Sequence, residues 1–237
     1  PQKHKDTNGV NRLPFPVQVA SLVDVNDGFG NHVLTQYDYA RGFYDAARRE
    51  FGGFGLTTVR EVKNGPLGLE TAGATTLMYF HQGGGYEDPC SGEWDDAGSV
   101  GKKGTAYRIE VYGSDGKLYH IVTNKVVEVE VAPDTNWNFA YVAQTTAVDY
   151  PGVAYTAGSH EYPADSYRAT LQQWQYDTAT GNLTQASDLG RVNLGGTSQE
   201  IAAHLANHAF DLNNNPPDDD VYVHHRYAVL ANPAIRN

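Results

Sequence analysis

The feature that most limits how this chain can fold is a pattern that recurs along its length: an alternating apolar and polar stretch, a cluster of glycine, aspartate or asparagine, then another alternating stretch. From Lys125 to Val131 the alternation is strict, with Val127, Val129 and Val131 set against Glu128 and Glu130. Successive strand side chains point to opposite faces, so one face of such a strand is buried and the other wet. Asn138 to Asp149 repeats the pattern. Hairpins follow from the turn residues: Phe15 to Val25, then Asn26, Asp27, Gly28 and Gly30, then a strand from His32. Tyr107 to Tyr112 turns at Ser114, Asp115 and Gly116 into a return strand from Lys117 to Thr123, and Arg168 to Tyr176 turns over Asp177 to Gly181 into Asn182 to Ser187. Ala74 to His81 and Val221 to Leu230 read as further strands. The total is roughly a dozen to fourteen strands. At about 4.8 Å per strand one sheet would be roughly 60 Å wide, and open sheets beyond about ten strands curl, split or close. The expected fold is therefore mainly β, a strip of antiparallel hairpins that wraps or pairs, and its two edges invite pairing with another segment. The one helical spacing is Ser198 to Leu212, with Ser198 as an N-cap and Ile201, Leu205 and His208 or Ala209 three or four apart; it reads equally as a short helix or as none.

The densest stretch is YDYARGFYDAARREFGGFG, from Tyr37 to Gly55. It holds two pairs, Tyr37 with Asp38 and Tyr44 with Asp45, and it is flanked by alternation on both sides, Val33 to Tyr39 before it and Leu56 to Val62 after it. Glycines at 52, 53 and 55 suit sharp bends or bulges. Phe51 and Phe54 are expected to be buried, with Gly52, Gly53 or Gly55 at a bend and at least one at positive φ. Arg48, Arg49 and Glu50 look like a charged site but read better as hairpin supports. Residues 1–13 form a polar lead-in, and 83–104 an irregular loop with seven glycines and Trp94 as its candidate anchor. Residues 150–166 read as an irregular crossing or a bulged edge strand. The whole of 1–237 is taken as a single all-β segment.

Composition narrows the chemistry. With 17 Lys plus Arg against 28 Asp plus Glu the formal charge is −11, which repels nucleic acid and anionic membrane surfaces. Cys90 stands alone, so the chain can build no intrachain disulfide, thiolate metal site or redox pair. The sequence lacks an 18-residue apolar run that would span a bilayer. It opens on Pro1 without a leader and reads as a piece of a longer protein. Sixteen tyrosines against 8 phenylalanines suit strand surfaces with one wet side. His224 and His225 are adjacent and would face opposite ways on a strand; His204 and His208 have ligand spacing only on a helix, and Leu205, Ala206 and Asn207 between them lack a zinc-protease glutamate. Asp211 to Asp220 lacks the glycine and terminal glutamate of a calcium loop. Glu93 with Asp95, or Glu87 with Asp88, could supply paired carboxylates for glycoside cleavage only across a cleft. Gly83, Gly84 and Gly85 lack the lysine and hydroxyl of a phosphate loop. The expectation is a chain without catalytic residues, metal or cofactor.

Several segments carry a family resemblance. Tyr176, Asp177, Gly181, Asn182, Leu183 and Thr184, with Asp188 beyond, resemble a YD repeat of the RHS type, and residues 112–118 are a looser copy. LPFPVQV at 13–19 and RREFGGFG at 48–55 resemble the region between the propeller and the YD repeats of the B component of insecticidal toxin complexes (TcB-like) and of SpvB-type virulence proteins. YFHQG at 79–83, YRIEVYG at 107–113 and DDVYVHHRYAVLANP at 219–233 fit the same order. Gly52 departs from that pattern, in which arginine is commoner. The resemblance implies a strip of hairpins spiralling into a hollow cocoon around a toxic segment, in a secreted or cell-surface protein. The partners it implies are the remainder of that shell, the enclosed segment and other toxin-complex subunits. The structural motif would comprise Tyr37, Asp38, Tyr44, Asp45, Phe51, Gly53, Phe54, Gly55, Tyr176, Asp177 and Gly181. The alternative is a carbohydrate-binding or adhesive extracellular β module that uses exposed tyrosines, Trp94 or Trp174, and a glycosidase-type enzyme is a third reading.

Overall fold

The computed structural model describes residues 13–29, 32–64, 70–83, 86–88, 93–95, 100–132, 137–159, 161–163, 167–192 and 221–224. These contain twelve strands: β1 (Leu22–Asn26), β2 (His32–Asp45), β3 (Glu50–Asn64), β4 (Glu70–Phe80), β5 (Tyr86–Asp88), β6 (Glu93–Asp95), β7 (Ala106–Tyr112), β8 (Leu118–Ala132), β9 (Trp137–Val153), β10 (Arg168–Tyr176), β11 (Leu183–Val192) and β12 (Val221–His224). Ten of them form one sheet in the order β1-β2-β3-β4-β7-β8-β9-β10-β11-β12, and β5 pairs with β6 alone. Every pairing is antiparallel. The all-β antiparallel strip expected from the alternation is thus what forms. It is an open ribbon rather than a barrel, since β1 and β12 pair on one side only.

The strands are longer than the alternation marks. Lys117 to Thr123 and Lys125 to Val131 join into the single strand β8, because the register shift between Lys125 and Val126 absorbs the break in the pattern without ending the ladder. The first strand is shorter than expected. It begins at Leu22, not Phe15: Pro14 and Pro16 have no N–H to give a ladder, the chain bends at Pro14 and Phe15, and residues 16–21 lie outside any strand. Leu13 is buried against Gly42 and Phe15 packs on Tyr44 and Phe51, so this segment covers one side of the β2–β3 hairpin. The turn after β1 uses its own side chains: the Gly28 N–H donates to Asn26 Oδ1 at 2.8 Å and the Phe29 N–H to Asp27 Oδ1 at 2.7 Å.

The apolar core sits on one face of β7 to β11. It is built from Tyr112, Leu118, Ile121, Val148, Tyr150, Leu171 and Leu189 and closed by Tyr162. That last residue lies in the connection between β9 and β10, whose residues 154–159 and 161–163 cross the sheet face. This strap is the irregular crossing suggested for 150–166; the stretch as far as Val153 belongs to β9. Residues 100–105 dock at the end of the β4–β7 pair by backbone bonds, His81 N–H to Thr105 C=O at 3.0 Å and Gly104 N–H to His81 C=O at 3.0 Å. No helix occurs among the described residues, and so no helix there is long and apolar enough to cross a membrane. The helical reading of 198–212, the acidic stretch 211–220 and residues 1–12 lie outside the described residues.

Candidate functional site

The most chemically loaded place in the molecule lies under the strap. Strand alternation puts Arg108, Glu110 and Tyr112 of β7 on one face, and that face is the covered one, so both charged side chains are 0% exposed. A buried charge is tolerated only when paired and hydrogen-bonded, and each here is. Arg108 Nε donates to Glu110 Oε1 at 2.8 Å, and Arg108 Nη2 donates to the Tyr155 hydroxyl at 3.0 Å and to the Glu161 carbonyl at 2.8 Å. The Tyr112 hydroxyl donates to Glu110 Oε2 at 2.7 Å, with the Tyr79 hydroxyl farther off at 3.4 Å. The guanidinium also lies 5.4 Å above the Tyr162 ring, within cation–π range. Tyr155 and Glu161 clasp each other as well, the hydroxyl donating to the Glu161 carbonyl at 2.9 Å and accepting from its N–H at 3.1 Å. Burial first, and then the Glu110 carboxylate, push the Tyr79 and Tyr112 hydroxyls far above the ordinary tyrosine range. Tyr150 is raised in the same direction, mainly by burial. These phenols therefore stay protonated donors, the guanidinium stays a cation, and water is kept from both charged groups. The arrangement is suited to fixing the strap on the sheet rather than to moving protons.

A second cluster holds the β2–β3 hairpin. The register passes from Gly42 opposite Phe54 to Tyr44 opposite Phe51, so Gly52 and Gly53 together face Phe43. This is a bulge, and Gly53 takes φ +86° there. A Cβ at Gly52 would stand 2.8 Å from Phe43 Cδ1, which accounts for glycine beside this phenylalanine. Arg41, across the hairpin, has φ 56°. Gln82 ties the two strands: its Nε2 donates to the Arg41 carbonyl and to the Gly53 carbonyl, both at 2.8 Å. A Cβ at Gly55 would collide with the Gln82 amide, so the sequence leaves that position bare.

The Tyr-Asp pairs take different positions. Asp45 closes β2, and its Oδ1 accepts the Ala47 N–H at 2.9 Å and the Arg48 N–H at 3.1 Å, while Oδ2 pairs with Arg48 Nη1 at 3.0 Å; Arg49 completes the turn at φ 56°. Asp177 does likewise, with the Ala179 N–H on Oδ1 at 2.9 Å and Gly181 at φ +72° in the position matching Arg49. Asp115 accepts the Lys117 N–H at 3.1 Å. The backbone donors, from Arg48, Lys117 and Ala179 in turn, are the main reason all three carboxyls lie below the usual aspartate value. Tyr37 and Asp38 lie mid-strand instead, opposite Val59 and Thr58, and Asp38 pairs with Arg60. Tyr44 stands opposite Phe51, and Tyr176 packs on Tyr141 with ring centroids 4.6 Å apart. Phe51 and Phe54 are half-buried, not buried: their rings meet each other at 5.3 Å, and Phe15 and Tyr39, but they lie away from the core under the strap.

Of the groups that make these clusters, Arg108, Glu110, Tyr112, Tyr155 and Gln82 were not singled out by sequence reasoning. The segments YRIEVYG and YFHQG stood out, and the spacing of Arg108 and Glu110 two apart gave a face but not its cover. Among the described residues there is no group of three or more His, Cys, Asp or Glu side chains placed to hold a metal. His204, His208 and His225 lie outside the described residues, as do the side chains of Glu87, Asp88, Glu93, Trp94, Asp95 and His224.

Residues 2–94 match a family described as the insecticide toxin TcdB middle/N-terminal region. No curated protein matches the chain. Among solved structures, it is similar at 18% identity and TM-score 0.48 to a chain of the TcdB2-TccC3-TEV crystal structure, covering 76% of this chain and 13% of that one. A TcdB2-TccC3 structure without its hypervariable C-terminal region matches with the same identity, score and coverage. The Photorhabdus luminescens Tc holotoxin pore carrying TccC3-D651A matches at 17% identity and TM-score 0.39, over 67% of this chain and 12% of that one. The chain thus spans about an eighth of the length of the solved chains it matches, 13% and 12%.

Proposed function

We propose that this chain, whose residues 2–94 carry the middle/N-terminal region of a TcdB-type insecticide toxin, is a non-catalytic wall segment of a secreted toxin shell that holds a cargo segment. The resemblance to the B component of insecticidal toxin complexes holds over those residues. The observation that carries the reading is how the polar chemistry is spent. The Arg108–Glu110 pair, the hydroxyls of Tyr112 and Tyr155 and the turn aspartates bond to the protein's own backbone or to one another, and together they fasten strands, turns and strap. An enzyme needs acids, bases or nucleophiles within reach of a substrate, and the ion pair with the richest chemistry is sealed from solvent. A wall needs straight hairpins in series with firm turns, which the Asp45, Asp115 and Asp177 turns supply. The motif residues from Tyr37 to Gly55 and from Tyr176 to Gly181 act in this reading as hairpin supports, and other subunits of the toxin complex are the partners. Against a sugar-binding module stands the packing of Phe139, Tyr141 and Tyr176, whose rings turn into one another, Tyr176 lying 68° from Phe139 and 46° from Tyr141, instead of presenting one flat platform. The test is a low-resolution envelope with light scattering on the longer parent protein. A particle with an internal void is expected, and a solid compact one overturns the proposal.

A further inference from the structure

Among the described residues, β1 ends the sheet and no strand pairs with its outer side. All five residues of β1 are exposed, and its register against β2 runs without a shift from Leu22 to Asn26. It contains no proline, lysine or bulge, and its one charged residue is Asp24. The direction of its backbone follows from one bond: the Tyr37 N–H donates to the Ser21 carbonyl at 2.9 Å, which makes Ser21 and Tyr37 a hydrogen-bonded pair. Such pairs alternate along an antiparallel ladder. Val23 and Val25 therefore bond inward to β2, and the N–H and C=O groups of Leu22, Asp24 and Asn26 point out over the open edge. Directly opposite residues share a face, so Val23, Val25 and Val33 form one apolar side, with Val25 58% and Val33 61% exposed. The other side carries Asp24, whose carboxylate sits 2.9 Å from His32 Nδ1 and stays accessible.

We propose that β1 accepts an extended polypeptide segment with a lysine or arginine opposite Asp24 and β-branched residues opposite Val23 and Val25. The central bonds run to the Asp24 N–H and C=O, and the valines fix which face the incoming side chains take. Charge chooses the occupant: two copies of this chain paired about Asp24 would set carboxylate against carboxylate, which is unfavourable, and the chain as a whole carries −11. The proposal stands apart from the wall reading, since it needs only the edge.

The experiment uses the 237-residue chain with the capped peptide Thr-Thr-Val-Lys-Val-Thr-Thr and its twin with glutamate in place of lysine, following amide exchange at Leu22, Asp24 and Asn26 by NMR. The lysine peptide should slow exchange at these amides and bind roughly tenfold tighter than the glutamate peptide. Asp24→Lys should reverse that preference. Asp24→Pro removes an outward N–H without touching the bonds to β2 and should abolish the effect with the circular dichroism unchanged. Absence of slowing, or equal slowing in Asp24→Pro, overturns the proposal. So does slowing that grows with protein concentration in the absence of peptide, which would assign the edge to a second copy.

Discussion

Glu110→Gln changes one atom's identity and removes the carboxylate charge bonded to a guanidinium that is 0% exposed. The shape is kept, so the loss is electrostatic. Arg108 retains neutral acceptors, the Tyr155 hydroxyl at 3.0 Å and the Glu161 carbonyl at 2.8 Å, while the new amide brings a donor to a place where Arg108 and Tyr112 already donate. Breaking a buried pair in this way costs about 3–5 kcal/mol, a fifth or more of a total stability of roughly 5–15 kcal/mol. With a urea slope of about 2 kcal/mol per molar, the midpoint of unfolding should fall by about 1.5–2.5 M. The same substitution should speed amide exchange in 154–163 before it affects β8 or β9. The double variant Arg108→Met with Glu110→Leu leaves no orphan charge. Its cost should be about 1–3 kcal/mol, set by the Tyr112 hydroxyl that loses its acceptor, and so smaller than that of the single change. The assay is equilibrium urea unfolding followed by circular dichroism, completed as a double-mutant cycle. A single variant that loses less than about 1 kcal/mol, or a cycle that adds without coupling, would refute the claim that this pair fastens the strap.

Gly53→Ala meets nothing within 4 Å of the new Cβ, so its cost is that of holding φ +86° with a side chain, about 1–2 kcal/mol by thermal melting; a neutral result would mean the bulge is not held as described. The carboxyls of Asp45, Asp115 and Asp177 lie lower folded than unfolded. Their contribution is therefore whole above about pH 4 and fades as pH falls through the lowered values. The amides of Ala47, Lys117 and Ala179 should report midpoints below about 4 in an NMR titration, and midpoints at or above it would contradict the turn bonds. Tyr79, Tyr112 and Tyr150 are shifted the other way, so what they contribute is whole below about pH 10 and is lost as pH rises. Absorbance at 295 nm should show them ionising only together with loss of the fold; full reversible titration near pH 10 with the circular dichroism intact would exclude their burial.

What the residues reveal in advance is what depends on neighbours in sequence. The alternation of Val127 to Val131 and the Asp177 to Gly181 turn are local, and β8, β10 and β11 form where these signals stand. Arg108 and Glu110 show the limit. Two charges spaced two apart on a strand read as a wet face, and only a strap that arrives some fifty residues later, with Tyr155 and Glu161, makes that face dry. The dipeptide Tyr-Asp is equally dependent on context. At 44–45 and 176–177 a turn follows at once and the carboxylate bonds to it, whereas at 37–38 the strand continues and the same residue types serve the ladder and an ion pair with Arg60. Gln82 carries no pattern of its own, since its partners are two carbonyls created by a bulge.

The strand order has a consequence for how the molecule is made. Apart from the small β5–β6 hairpin, each strand of the sheet lies beside its predecessor in the chain. A sheet of this breadth would ordinarily demand distant pairings, whose loop-closure cost slows folding. Here each new strand needs only the one made just before it. A growing polypeptide emerging from its N-terminus can lay down the ribbon row by row, as knitting adds a course to the last. The row that waits is β7: its charged face stays wet through the synthesis of β8 and β9, and its Arg108–Glu110 pair passes from solvent to interior when the strap bearing Tyr155, Glu161 and Tyr162 folds across it.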